Sequence, residues 1–331
     1  MDNEASPSLK LDRAKEHFHQ FVAELDEYYR SDPWIFSTSF DGNDLVLRLE
    51  SHTPIPARFA LLVGDLVHNA RSALDCAVFE IASRGLGSLG RPPTWDEEVR
   101  LSFPMTTKRS SFTEARKKLH PFLPDSTLAA IEVLQPWREA EILAEHLGNV
   151  DNPAAIEGWI NLSYMRRLNT LSNIDKHRRL TMSIFRPDSV GESIAGESGF
   201  DFTDDEDRFE GIRWLGVPKR ERMAKLPPEA LPEGFSFPDP NDTDYDFHFD
   251  HGDVEDGCEI GRYISTDRTR KMEILNVHAR LRVVLHEPGL TDKYPGAPRI
   301  ERVLAEIIDE VSEIIGLLDP SRDWDVQQID R

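Results

Sequence analysis

The apolar pattern is strongest from Phe59 to Ile81, FALLVGDLVHNARSALDCAVFEI. Val63, Leu66, Val67, Ala70, Ala73, Leu74, Ala77 and Ile81 recur at three- and four-residue spacing, which predicts one long helix with a broad core-facing arc. A similar pattern predicts an N-terminal helix over Leu9–Tyr29, with Leu11, Ala14, Phe18, Phe21, Val22, Leu25 and Tyr28 inward. It also predicts a closing helix over Ile300–Leu318, with Val303, Ile307, Val311, Ile314 and Leu318 inward.

Between these helices the signals are shorter. Asp41-Gly42-Asn43 reads as a turn before an alternating strand, Leu45 to Leu49. Gly85, Gly87 and Gly90, followed by Arg91-Pro92-Pro93, predict the end of the long helix. Leu101 to Met105 reads as an extended piece, and Ser111 to Leu119 as a helix opened by a Ser111…Glu114 capping box. Further helices are expected over Ser126–Leu134 and Glu139–Leu147. Another starts at Pro153 and continues through Trp159, Leu162, Tyr164, Leu168 and Leu171. Beyond His177 the pattern turns to strands: Leu180–Phe185, Phe209–Val217, the alternating Tyr245–Phe249 and Met272–Leu285. Five prolines between Leu226 and Asp242 disfavour regular structure there.

The predicted fold class is therefore α+β. Residues 1–178 form a helical, bundle-like body. Residues 179–299 form an inserted or appended antiparallel β-rich region, and residues 300–331 a C-terminal helix that returns to the body.

Composition narrows the functional classes. The formal charge of −21 over 331 residues opposes long-range attraction to a nucleic-acid backbone. No run of 18 apolar residues occurs, so no membrane partner is expected. The N-terminus lacks the basic flank and apolar stretch of a signal peptide. Two cysteines, Cys76 and Cys258, suit a reducing compartment, with Cys76 expected as a buried thiol, and a cytoplasmic location follows.

Two polar segments interrupt the apolar patterns. On the long helix, His68, Arg71 and Asp75 lie three and four residues apart and share one side. Histidine can move a proton near neutral pH, and arginine can hold an anion by two hydrogen bonds. The second segment is RRLNTLSNIDKHRR, Arg166 to Arg179. Catalytic roles would fall to His68, Arg71, Asp75 and His177, with Asn69, Asn173, Asp175, Lys176 and Arg178 binding substrate. The structural alternative is an ion-pair network joining two helices, with Arg178 pairing to Asp75.

HNARSALD (His68–Asp75) and LNTLSNIDKHR (Leu168–Arg178) resemble paired motifs of widespread, mostly uncharacterised bacterial proteins. More distantly they resemble the helical HEPN-like superfamily. That resemblance implies a defence association and, in its active members, metal-independent ribonuclease chemistry. It covers about Leu61 to Arg178. HEPN ribonucleases carry a histidine four to six residues after an arginine. Here Arg71 is followed by Ser72 but by no such histidine, and Arg167 lies too far from His177. Arg280 and His286 have the spacing, but within a strand pattern.

Asp239 to Asp250 approaches EF-hand density, yet Asp244 stands at the turn glycine and Asp250 at the final glutamate. His248, Asp250, His251 and Asp253 read as a solvated acidic edge, so no metal is expected. No dinucleotide, P-loop or nucleophile-elbow motif is present, so no cofactor is expected. The sequence points to a module binding a small ligand or a protein. The alternative is an RNA-cleaving enzyme using His68 and His177, and a homodimer is left open.

Overall fold

The computed structural model describes residues 6–42, 44–88, 90–148, 150–177, 180, 182–193, 245–249, 255–265, 276–285 and 299–319. Helix α1 (Pro7–Arg30) starts at Ser6, whose Oγ accepts from the Leu9 N–H at 3.3 Å, with Pro7 in the first turn. Its buried positions from Leu11 on, Leu11, Ala14, His17, Phe21, Leu25 and Tyr28, recur every three to four residues, and the helix packs on α2 (Ala57–Ser88). Aromatic edges lock the pair: Phe21 and Tyr28 meet Phe59 at centroid distances of 5.5 and 5.9 Å. Tyr28 Oη donates to Thr53 O at 2.6 Å and so ties the end of α1 to the chain entering α2. Burial pushes the Tyr28 phenol up to about 12.

A hairpin, β1 (Trp34–Asp41) and β2 (Asp44–His52), connects the two helices through Gly42 at φ 65°. Leu45, Val46 and Leu47 are all buried, so β2 is covered on both faces and does not alternate as the sequence suggests. Strands β4 (Tyr245–Phe249) and β5 (Glu259–Ser265) complete an antiparallel sheet of order β1-β2-β5-β4. Strand β3 (Met182–Ser193) pairs with β6 (Asn276–Leu285) in a separate ribbon. The Val283 N–H of that ribbon donates to Tyr29 Oη on α1 at 3.0 Å. The sheet draws two strands from before residue 178 and two from after it.

After α2 come α3 (Trp95–Glu98), α4 (Arg109–Leu119), α5 (Asp125–Val133), α6 (Pro136–Leu147), α7 (Pro153–Leu162) and α8 (Tyr164–His177). The last helix, α9 (Ile300–Leu318), packs back on α1, α2 and α8, with Ile300, Val303, Leu304, Ile307, Val311 and Ile314 buried. Described helices and strands thus form a mixed α+β architecture whose body is helical.

Several boundaries differ from the sequence reading. Helix α2 runs through Gly85 and Gly87 to Ser88, and Gly90 closes it. There φ is 79°, Arg91 N–H reaches Leu86 O and Gly90 N–H reaches Gly87 O. That is a Schellman ending, which uses glycine for its left-handed residue. Helix α4 begins at Arg109 with no side-chain cap, so Ser111…Glu114 is not a capping box. Helices α7 and α8 are separate. Ser163 has ψ 130°, and its carbonyl accepts the Arg167 N–H, so an extended residue ends one helix and opens the next. The expected Phe209–Val217 strand lies outside the described residues, as does most of the acidic Asp239–Asp256 stretch.

One carboxylate on α9 is perturbed by its packing. Burial, and then the carboxylates of Glu139, Glu313 and Glu306, push the Glu310 carboxyl up to about 8. Its proton is therefore held in the folded state and released in the unfolded state between about pH 4.5 and pH 8. Stability carried by that proton is present at low pH and lost as pH rises through the folded value. Glu310→Gln should accordingly stabilise the protein more at pH 9 than at pH 5, by on the order of 1–3 kcal/mol in urea titrations at the two pH values. An equal effect at both pH values would refute the assignment.

Candidate polar site on the second and eighth helices

Gly64, His68, Arg71 and Asp75 fall on one stripe of α2, at i, i+4, i+7 and i+11. Two different elements close on its two ends. At the first end α8 lies against α2. A Cβ on Gly64 would fall 2.5 Å from Asp175 Oδ1, so glycine is what lets the Asp175 carboxylate sit against the α2 backbone. His68, one turn further along, is exposed, as are Asn173, Asp175 and Lys176.

At the other end Arg71 and Asp75 close on a single loop residue, Phe103. Asp75 Oδ1 accepts the Phe103 N–H at 2.9 Å, and Arg71 Nη2 donates to Phe103 O at 2.7 Å. Arg71 Nε also donates to Asp75 Oδ2 at 3.3 Å. The pair thus supplies both hydrogen bonds that a neighbouring strand would give an extended residue. Beneath this clamp the Phe103 ring is fully buried in the main core. The next residues of the loop are held from the other side by Gln135, itself fully buried. Gln135 Oε1 accepts from the N–H and the hydroxyl of Thr106 at 2.9 and 3.0 Å. Its Nε2 donates to Pro104 O and Ile131 O at 2.9 and 3.0 Å.

The predicted site residues therefore divide. Arg71 and Asp75 belong together, but with Phe103. Asp175 meets Gly64, eleven residues before Asp75, or about 16 Å away along the helix axis. Asn69 turns back on its own helix, its Nδ2 donating to Asp65 O at 2.7 Å. His177 ends α8, and Arg178, with its expected pairing to Asp75, lies outside the described residues. Burial pushes the neighbouring Cys76 thiol up, which weakens it as a nucleophile; both cysteines are unpaired and half-buried. Among the described residues no group of three histidine, cysteine or acidic side chains could hold a metal ion, and no helix is long and apolar enough to cross a membrane.

Phe103 and Gln135 were not legible as site partners. Gly64 did carry a signal, since glycine inside an otherwise apolar helix pattern marks close approach of another element.

Asp75→Ala should cost about 2 kcal/mol, because it strips the partner from one backbone N–H and one guanidinium. Asp75 is 35% exposed in its side chain, so water offsets part of the loss. Urea unfolding of Asp75→Ala, Arg71→Ala and the double variant measures this, and the double variant should lose less than the sum of the two single losses. Strict additivity would deny that the pair works as a unit. No protein-family model, curated protein or solved structure matches the chain.

Proposed function

We propose that the protein is a binding module, not an enzyme, and that it takes a small ligand or a protein at the exposed surface formed by His68, Asp175 and Lys176. The observation that carries this reading is the engagement of Arg71 and Asp75 by the Phe103 backbone. Metal-independent RNA cleavage needs a donor free to meet the phosphate where charge develops, beside an acid and a base. Arg71 already donates to a carbonyl and a carboxylate, and its side chain is only 16% exposed. The charge of −21 works in the same direction. The defence association stands on the sequence resemblance, and the two unpaired thiols fit a cytoplasmic location.

Two measurements test the proposal. In the first, purified protein is mixed with a panel of RNAs in the presence of a chelator, alongside His68→Ala and His177→Ala. Intact RNA in all samples is expected. Cleavage by the parent protein that disappears in both variants would replace the binding reading with the ribonuclease one. In the second, a thermal-shift panel of nucleotides, carboxylates and amines should contain a ligand class that raises the unfolding temperature of the parent but not of His68→Ala or Lys176→Ala.

A further inference from the structure

A second surface lies at the far end of α2, independent of the α2–α8 reading. Where α2 meets α3 there is an open hollow of ≈ 480 Å³, lined in part by Phe79, Ser83, Pro92, Pro93 and Glu98. The Ser83 hydroxyl in this lining is buried and meets no hydrogen-bond partner among the described residues.

Beside the hollow, Trp95 and Val99 stand four residues apart, on the same side of the α3 turn. They are 76% and 65% exposed, and Trp95 is the most exposed large apolar side chain among the described residues. A single exposed hydrophobe is ordinary, but an exposed tryptophan next to a proline-lined hollow has the composition of an interface anchor. Charge selects the occupant. Glu97 is taken up by Arg91, which meets both of its carboxylate oxygens at 2.8 Å. Asp96 and Glu98 are exposed and make no ion pair among the described residues. Arg100, also exposed, is a neighbouring cation in sequence, and Arg91 in the lining is already held by Glu97.

We propose that this shelf docks a basic segment of a partner protein. A lysine or arginine of that segment stacks on Trp95 between Asp96 and Glu98, and its aliphatic neighbours rest on Val99, Pro92 and Pro93.

The test uses the full chain and two probes: a seven-residue peptide alternating arginine and leucine, and its counterpart with glutamate for arginine. Calorimetric titration should detect the basic peptide and not the acidic one. Trp95→Ala and Glu98→Lys should each weaken binding about ten-fold or more. Arg100→Glu should strengthen it, and Glu16→Lys on the exposed side of α1, a helix that does not pack on α3, should leave it within about two-fold. Trp95, Glu98, Arg100 and Glu16 are all exposed, so the variants should unfold at the parent's temperature. Three results would overturn the proposal: no binding of the basic peptide, equal binding by Trp95→Ala, or equal losses from Glu16→Lys and Glu98→Lys. The last two would mean that the peptide reads only the net negative charge.

Discussion

Phe103→Ala is expected to lower the unfolding free energy by about 4 kcal/mol, in the upper half of the usual range for a buried phenylalanine. Two features place it there. The ring is fully buried among the core side chains. The backbone that carries it is also held by Arg71 and Asp75, and a residue later by Gln135. A loop pinned on both sides cannot sink into the space the ring leaves, so the cavity persists and its full cost remains. Urea unfolding followed by circular dichroism measures the loss, with an unchanged slope as the check that the same transition is compared. A loss below about 1.5 kcal/mol would mean that the loop relaxes and that the clamp does not hold it.

Gln135→Ala should cost about 3 kcal/mol, although it removes no large apolar volume. The buried side chain makes four hydrogen bonds, and two of its partners, the Thr106 N–H and the Pro104 carbonyl, belong to a loop with no strand beside it. Removing the amide leaves them half-buried without replacements from the protein. Gln135→Leu restores volume but not the bonds, so it should rescue little of the loss. Thr106→Val should cost less than Gln135→Ala, since the Gln135 oxygen keeps the backbone N–H when the hydroxyl goes. Parity between Gln135→Leu and the parent protein would show that the amide contributes packing alone.

The helical body was legible because its signals are local. Leu11, Phe21, Leu25 and Tyr28 on α1, and Val303, Ile307, Val311 and Ile314 on α9, recur at the helical period and occupy the core. Strand β1 was not legible: WIFSTSFD carries apolar residues at Trp34, Ile35, Phe36 and Phe40, and its outer half is exposed. Its place is set by pairing with β2, a contact no periodicity encodes. Gly85 and Gly87 misled for a related reason. Glycine weakens a helix by about 1 kcal/mol but does not stop one that packing supports, and the stop came where a left-handed residue was required. The chemistry of HNARSALD was legible as residue types and spacing. Its partner was not, because Phe103 lies 28 residues beyond Asp75 and offers only backbone atoms. A main-chain N–H and C=O look the same in every residue but proline.

The most direct measurement is hydrogen exchange at the Phe103 amide, compared with the Leu74 amide in the buried heart of α2, in the parent protein and in Asp75→Ala. If Arg71 and Asp75 serve the fold by holding the loop, Phe103 should lose far more protection than Leu74, which reports only the general drop in stability. Equal losses at the two amides, or unchanged protection at Phe103, would contradict that role and return Arg71 and Asp75 to the list of residues available for chemistry.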